Sequence, residues 1–164
     1  MGISLALSAL LTTSCIGGES SPSISIEFVA LNDSMVVDQP PVPIGDTLYV
    51  GMVLTGYEFP LDYLQINVDR EYFSDSICGD PQELSTIFTD FSNPTKGNYL
   101  FQKDIKTVAA TWALVPSKAP KDYKEPFRVE LILKSHSKVD EKFNPYYHNF
   151  LVYIADPTQQ PSAK

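Results

Sequence analysis

The sequence predicts an all-β protein, an antiparallel immunoglobulin-like β-sandwich of about 7–8 strands. Two observations predict it: short segments alternate apolar with polar residues, and turn residues separate these segments. The chain has 164 residues, of which 43% are hydrophobic, so it has the size of one domain. Its net charge of -8 supplies no basic stripe for phosphate backbones, and we expect no nucleic-acid partner.

The first two strands follow a short polar segment. Ile24, Ile26 and Phe28 have the same parity and alternate with polar residues, as in a half-buried strand. After a proline-rich loop, Gly45 and Asp46 supply turn chemistry ahead of a second strand. The apolar residues of this second strand share one face: Leu48, Val50, Met52 and Leu54.

Five further strands show the same alternation. They are predicted at 63–68, 99–102, 108–115, 127–136 and 147–155. Trp112 shares its parity with apolar neighbours, so we expect a core side chain, with a sugar-stacking platform as the alternative. The segment 84–91 also fits a helical stripe, but its serine and threonine residues favour a strand.

The domain is expected to span residues 23–156, followed by a disordered tail at 157–164. A domain of this size buries roughly two thirds of the surface that its unfolded chain exposes. The sequence therefore predicts a fold that is stable without disulfide bonds.

The N-terminal segment resembles a targeting signal. Residues 1–14 carry no charged side chain and contain an apolar run from Ile3 to Leu11. At about 1.5 Å per residue, this run is too short to cross a hydrocarbon core ~30 Å thick. The sequence LTTSC at 11–15 resembles the lipobox of bacterial lipoproteins, in which the cysteine is acylated. We therefore expect a lipoprotein signal peptide at 1–14, lipidation of Cys15 and a flexible tether at 15–22. The alternative is a plain secretory signal.

The second cysteine is Cys78. An acylated Cys15 cannot form a disulfide, so no internal bridge is expected. Acidic residues lie near Cys78 in the sequence and no cation is adjacent, so we expect a buried thiol rather than a nucleophile.

The sequence contains no recognised catalytic or metal motif, and we expect no catalytic residues, no cofactor and no metal. His136 and His148 lie on separate predicted strands, without the spacing of a zinc site. The stretch 58–90 is acidic and could bind calcium, but it lacks the order of a calcium loop. We interpret it as a solvated acidic rim.

A tyrosine-rich segment offers the best candidate for ligand binding. Tyr146, Tyr147 and His148 directly precede or begin the last predicted strand. Tyrosine binds glycans and proteins well, because its ring is rigid and its hydroxyl stays hydrated. The alternative is ordinary aromatic packing at a strand edge.

Several segments resemble a family of small Bacteroidetes lipoproteins of unknown function. They are CGDP at 78–81, LSTIFTDF at 84–91 and PFRVEL at 126–131, together with the lipobox. The resemblance implies a secreted, lipid-anchored β domain with no assigned catalytic residues. Relatives often carry a second cysteine near the position of Cys78, which stands alone here.

Together these features predict an envelope lipoprotein held in the outer membrane by a lipid on Cys15, at the periplasmic or the surface-exposed face. We expect a non-enzymatic binding or assembly module with a protein or glycan ligand. The alternatives are a hydrolase whose site the sequence does not reveal, and a structural subunit of a pilus or surface assembly.

Overall fold

The computed structural model describes residues 21–91, 97–136 and 145–159. Cys15, the predicted signal peptide and most of the predicted tether lie outside the described residues, as does the end of the predicted tail. The described residues form one helix, α1 (Pro81–Ile87), and ten strands. The strands are β1 (Ser23–Leu31), β2 (Ser34–Met35), β3 (Leu48–Thr55), β4 (Leu61–Asn67), β5 (Phe73–Cys78), β6 (Phe88–Asp90), β7 (Asn98–Phe101), β8 (Thr107–Pro116), β9 (Phe127–Ser135) and β10 (Tyr146–Val152).

The strands form two antiparallel sheets. Sheet 1 has the order β2-β1-β3-β8-β5, and sheet 2 has the order β10-β9-β4-β7-β6. The predicted all-β sandwich is confirmed, but the described residues contain ten strands rather than seven or eight.

Seven of these strands follow the immunoglobulin order. Without β2, β6 and β7, the sheets read β1-β3-β8-β5 and β10-β9-β4, which is the A-B-E-D and G-F-C arrangement of constant-type domains. The helix α1 with β6 and β7 is inserted between the fourth and fifth strands of this set. Since β7 pairs with β4, the insertion extends sheet 2.

The core lies between the sheets and follows the predicted alternation. Val129, Leu131 and Leu133 of β9 are fully buried, as is Trp112 of β8. The prediction of Trp112 as a core side chain is therefore confirmed.

A β-bulge turns Phe28 away from the core. The register of β1 on β3 shifts between Ile26 and Phe28, so Ile26 pairs with the inward Met52 while Phe28 pairs with Gly51. The Phe28 ring lies directly over Gly51, where an added Cβ would come within 2.0 Å of it. The shared face predicted for Ile24, Ile26 and Phe28 is therefore wrong at Phe28, because the extra residue of a bulge reverses the alternation.

The first half of the segment 84–91 is helical rather than extended. The Asp80 side chain accepts hydrogen bonds from the backbone N–H groups of Gln82 (2.8 Å) and Glu83 (3.4 Å). Pro81 follows at the start of the helix, where its missing N–H costs nothing. The strand predicted here is wrong up to Ile87, and β6 begins only at Phe88.

The sequence pattern gave no prediction for β5. Phe73, Asp75 and Ile77 point into the sandwich, and an aspartate at an inward position breaks the apolar alternation. Pairing with β8 places β5 at the edge of sheet 1.

Candidate functional site

The three candidate ligand residues lie on β10, but they do not share a face. Tyr146 and His148 pair with Leu133 and Leu131, which are fully buried, so both point to the inner side of sheet 2. Tyr147 points to the opposite side and is 55% exposed. The structure therefore separates Tyr147 from its two neighbours.

Tyr147 belongs to the outer face of sheet 2. Tyr147 pairs with Ile132 of β9, and Ile132 pairs with Gln65 of β4. Gln65 pairs in turn with Asn98 of β7. Side chains directly opposite on one face of neighbouring strands lie about 5 Å apart. An exposed aromatic ring, an aliphatic side chain and two amides thus form one row across four strands.

A chain of polar side chains runs beside this row. Gln65 Nε2 donates to Asn67 Oδ1 at 2.8 Å, and Asn67 Nδ2 donates to Glu130 Oε2 at 3.0 Å. Arg128 Nε donates to Asn149 Oδ1 at 3.1 Å, with its guanidinium 3.7 Å from Glu130. These contacts fix planar amide and carboxylate groups of β4, β9 and β10 on the outer face of sheet 2.

A second tyrosine lies two residues before Gln65 on the same strand. Lys134 Nζ is 6.0 Å from the centre of the Tyr63 ring, within the range of a cation–π contact. Tyr63 pairs with the exposed Leu100 of β7. The outer face of sheet 2 therefore combines aromatic, aliphatic and polar groups.

A partly buried ion pair joins β5 to the core. Arg70 Nη1 lies 2.6 Å from Asp75 Oδ1, and Trp112 Nε1 donates to Asp75 Oδ2 at 3.1 Å. Both carboxylate oxygens are therefore occupied. Among the described residues, Arg70 Nη2 and the Tyr99 hydroxyl are buried without a hydrogen-bond partner.

Burial beside this ion pair alters the ionisation of Tyr99. Desolvation is the main cause that raises the pKa of Tyr99 to about 12, with a further rise from the Asp75 charge and a smaller opposing effect of Arg70. Tyr99 therefore stays neutral over the physiological pH range. We interpret the group of Arg70, Asp75, Trp112 and Tyr99 as one that stabilises the fold.

Cys78 lies at the end of β5 and is half-buried, so it is less buried than predicted. It belongs to the outward-pointing set of β5, with Ser74 and Ser76, and not to the core set. Partial burial raises the pKa of the Cys78 thiol through desolvation. A raised pKa lowers the thiolate fraction.

Cys78 lines a cleft of about 240 Å³ that we call the α1 cleft. The helix α1 bounds it with Leu84 and Ile87, and β1 bounds it with Phe28. Its lining also includes small residues, among them Gly51 and Ala109.

The charged residues of the α1 cleft have one sign. Glu27 and Glu83 are both exposed and both line the cleft, and the described lining contains no lysine, arginine or histidine. Glu27 Oε1 accepts a hydrogen bond from Ser25 Oγ at 2.7 Å. Neither carboxylate forms an ion pair with a described residue.

Two further clefts border the loop between β8 and β9. Their volumes are about 270 and 310 Å³, and Lys121 and Asp122 line both. Nearby, Lys118 pairs with Glu71 and lies 5.2 Å from the centre of the Tyr72 ring. Charges of both signs are therefore present at this end of the sandwich.

The two histidines do not meet. His136 follows β9 and lies 3.7 Å from an oxygen of Asp62, whereas His148 lies on the edge strand β10 and pairs with Leu131. Within ranges 21–91, 97–136 and 145–159, no three His, Cys, Asp or Glu side chains form a group that could hold a metal ion. Of the acidic stretch considered for calcium, Asp75 is buried in its ion pair with Arg70.

Of the described residues, none forms a helix long and apolar enough to cross a membrane. A scan against known protein families finds no family that matches the chain. A search of curated proteins likewise finds no related sequence. The function must therefore be argued from the residues and the geometry of this protein.

Proposed function

We propose that this protein is a lipid-anchored lipoprotein of the envelope of a Bacteroidetes-like bacterium, and that its sandwich is a non-enzymatic binding or assembly module. The lipobox-like sequence LTTSC at 11–15 supports a lipid on Cys15. The first strand begins at Ser23, eight residues after Cys15, and eight residues span at most about 30 Å, so the domain would lie within that distance of the anchor. The outer membrane is the proposed location, at its periplasmic or its surface-exposed face.

The outer face of sheet 2 carries the binding part of the proposal. Tyr147 is 55% exposed beside polar groups that the Gln65–Asn67–Glu130 contacts already hold in place. Groups fixed before binding lose little conformational entropy when a ligand arrives. A flat face with aromatic rings and planar amides is suited to the ring faces and hydroxyls of a glycan, or to a protein surface.

One edge strand of sheet 1 supports a binding module over a subunit that exchanges strands. β5 forms this edge and carries Asp75, which points into the sandwich. An inward-pointing charge on an edge strand is one of the devices that prevent edge-to-edge pairing.

Metabolic labelling with an alkyne fatty acid tests the anchor. The label is expected on the wild-type protein and absent from Cys15→Ser, while Cys78→Ser is the matched control that retains it. Labelling that persists in Cys15→Ser would show that the anchor is assigned to the wrong residue.

Substitution of one exposed tyrosine tests the binding surface. Tyr147→Ala is compared with Tyr153→Ala, because Tyr153 is also exposed, at 37%, but lies beyond the end of β10. Each variant is purified from native membranes and its partners are identified by mass spectrometry, and each is titrated with defined oligosaccharides. Tyr147→Ala is expected to lose ligands that Tyr153→Ala retains. If both variants retained the same ligands, the proposal that the outer face of sheet 2 binds the ligand would be wrong.

A further inference from the structure

We infer that the α1 cleft binds an arginine side chain of a partner protein. This binding surface is separate from the outer face of sheet 2, and the argument for it does not depend on the lipid anchor.

The size of the α1 cleft favours a single side chain. Pockets for drug-sized ligands and cofactors have volumes of about 300–1,000 Å³. The α1 cleft has about 240 Å³, so one long side chain fits it better than a whole small molecule.

The charge of the α1 cleft selects a cation. Glu27 and Glu83 are its charged lining residues in the described part of the chain, and no described cation neutralises them. A cleft whose charges share one sign and whose walls have a low dielectric constant concentrates the electric field and attracts the opposite charge. The two clefts beside Lys121 carry both signs and lack this property.

The walls of the α1 cleft favour arginine among the cations. The Phe28 ring is held over Gly51 and lines the cleft, and a guanidinium group stacks well on an aromatic face. Leu84 and Ile87 of α1 supply apolar surface for the methylene groups of the side chain. The forked donors of arginine also suit carboxylates better than the point charge of lysine does.

Titration with a matched pair of peptides tests this proposal. The protein is the full chain carrying Cys15→Ser, so that Cys78 is its one thiol. The probe is the acetylated and amidated peptide Gly-Gly-Arg-Gly-Gly, and its control contains citrulline, which has the same shape without the charge. We expect the arginine peptide to bind about tenfold more tightly than the citrulline peptide.

Two pairs of substitutions separate the α1 cleft from the overall negative charge. Glu27→Gln with Glu83→Gln removes the two cleft charges, and Glu58→Gln with Glu125→Gln removes two exposed charges elsewhere. We expect the first pair of substitutions to weaken the binding of the arginine peptide about tenfold, and the second pair to weaken it less than twofold. All four glutamates are exposed, and circular dichroism checks that each variant is folded.

The thiol of Cys78 reports directly on occupancy, because it lines the α1 cleft. Saturation with the arginine peptide is expected to slow the alkylation of Cys78 by a neutral maleimide at least about threefold. The proposal would be overturned if both peptides bound equally well, or if both pairs of substitutions lowered the affinity for the arginine peptide equally. An unchanged alkylation rate of Cys78 would also overturn it. Because Cys15→Ser is not acylated, these results are independent of the fatty-acid labelling that tests the anchor.

Discussion

The indole N–H of Trp112 donates a hydrogen bond of 3.1 Å to the carboxylate of Asp75, in the interior of the sandwich. Trp112 lies on β8 and Asp75 on the edge strand β5, so this bond joins the edge of sheet 1 to the centre of the core. Arg70 occupies the second carboxylate oxygen at 2.6 Å. The three side chains form one unit, and its stability can be measured by mutation.

Asp75→Ala is expected to lower the free energy of unfolding by about 2–3 kcal/mol. The substitution leaves the buried Trp112 N–H unpaired, and it removes the partner of Arg70, whose side chain is 31% exposed and can be hydrated in part. Urea denaturation gives the value, with the exposed Glu58→Ala as a control that should change it by less than about 0.5 kcal/mol. A loss below 1 kcal/mol for Asp75→Ala would mean that the carboxylate is hydrated.

A double-mutant cycle isolates the bond between Asp75 and Trp112. Trp112→Phe keeps an aromatic ring in the core but removes the donor. The coupling energy with Asp75→Ala is expected to be about 1–3 kcal/mol, as for a buried hydrogen bond to a charged group. Leu131→Ala, a core substitution that removes no hydrogen bond, is the comparison partner and should show weaker coupling. Additive effects of Asp75→Ala and Trp112→Phe would contradict the bond.

The stability of the protein is expected to fall between pH 10 and pH 12 because of Tyr99. Its pKa is raised to about 12 in the folded protein, whereas tyrosine in an unfolded chain has a pKa near 10. In this window the unfolded state loses the proton first, so rising pH favours unfolding, by about 2 kcal/mol at pH 12.

Tyr99→Phe should remove this part of the pH dependence, and Tyr147→Phe, which removes an exposed hydroxyl, should retain it. Denaturation at several alkaline pH values measures the effect, and tyrosinate absorbance in the folded protein gives the titration itself. Parallel stability profiles for wild type and Tyr99→Phe would show that Tyr99 is accessible to solvent.

Gly51→Ala is expected to destabilise the protein by about 1–3 kcal/mol, because the new methyl group would overlap the Phe28 ring. The conflict disappears when the ring is removed. Gly51→Ala combined with Phe28→Ala should therefore cost no more than Phe28→Ala alone. Thermal or urea unfolding of the three variants tests this. If the losses in the free energy of unfolding were fully additive, the Phe28 ring would not lie over Gly51.

Asp80→Ala is expected to cost about 1 kcal/mol, since it removes the side chain that caps the backbone N–H groups of Gln82 and Glu83. Asp80→Asn preserves an acceptor and should cost a few tenths of a kcal/mol. Unfolding midpoints distinguish the two variants. Equal losses would indicate that the negative charge, and not the hydrogen bonds, stabilises the start of α1.

The alternation of apolar and polar residues was sufficient to predict the sandwich and much of its core. In β3 each inward position is apolar, and in β9 the inward positions are apolar up to Leu133, with the buried Ser135 at the end of the strand, so the local pattern and the tertiary fold largely agree. The same reasoning predicted Trp112 in the core correctly. Where the local apolar pattern matches the buried face of a strand, the sequence is sufficient to predict both the strand and its core residues.

The alternation of apolar and polar residues gave a wrong or missing prediction where a contact between distant residues allows a polar residue inside the sandwich, or where a bulge turns an apolar residue outward. β5 was missed because Asp75 is buried, and only Arg70 and Trp112, which lie on other elements, make that burial possible. Phe28 was placed in the core because a bulge leaves no signal in the alternation. The grouping of Tyr146, Tyr147 and His148 has a different, local reason to fail: the three residues are consecutive in β10, and successive side chains of a strand point to opposite faces.

The sequence by itself determined the fold class and the negative charge of the chain, and it predicts a lipid on Cys15. Only the tertiary structure decided which side chains act together. It aligned Tyr147 with Gln65 across three strands and gathered Glu27, Phe28 and Glu83 around one cleft. The physical reason is that strand register and the position of α1 are set by the packing of the whole sandwich. Residues far apart in the chain become neighbours through that packing, and no local pattern encodes it.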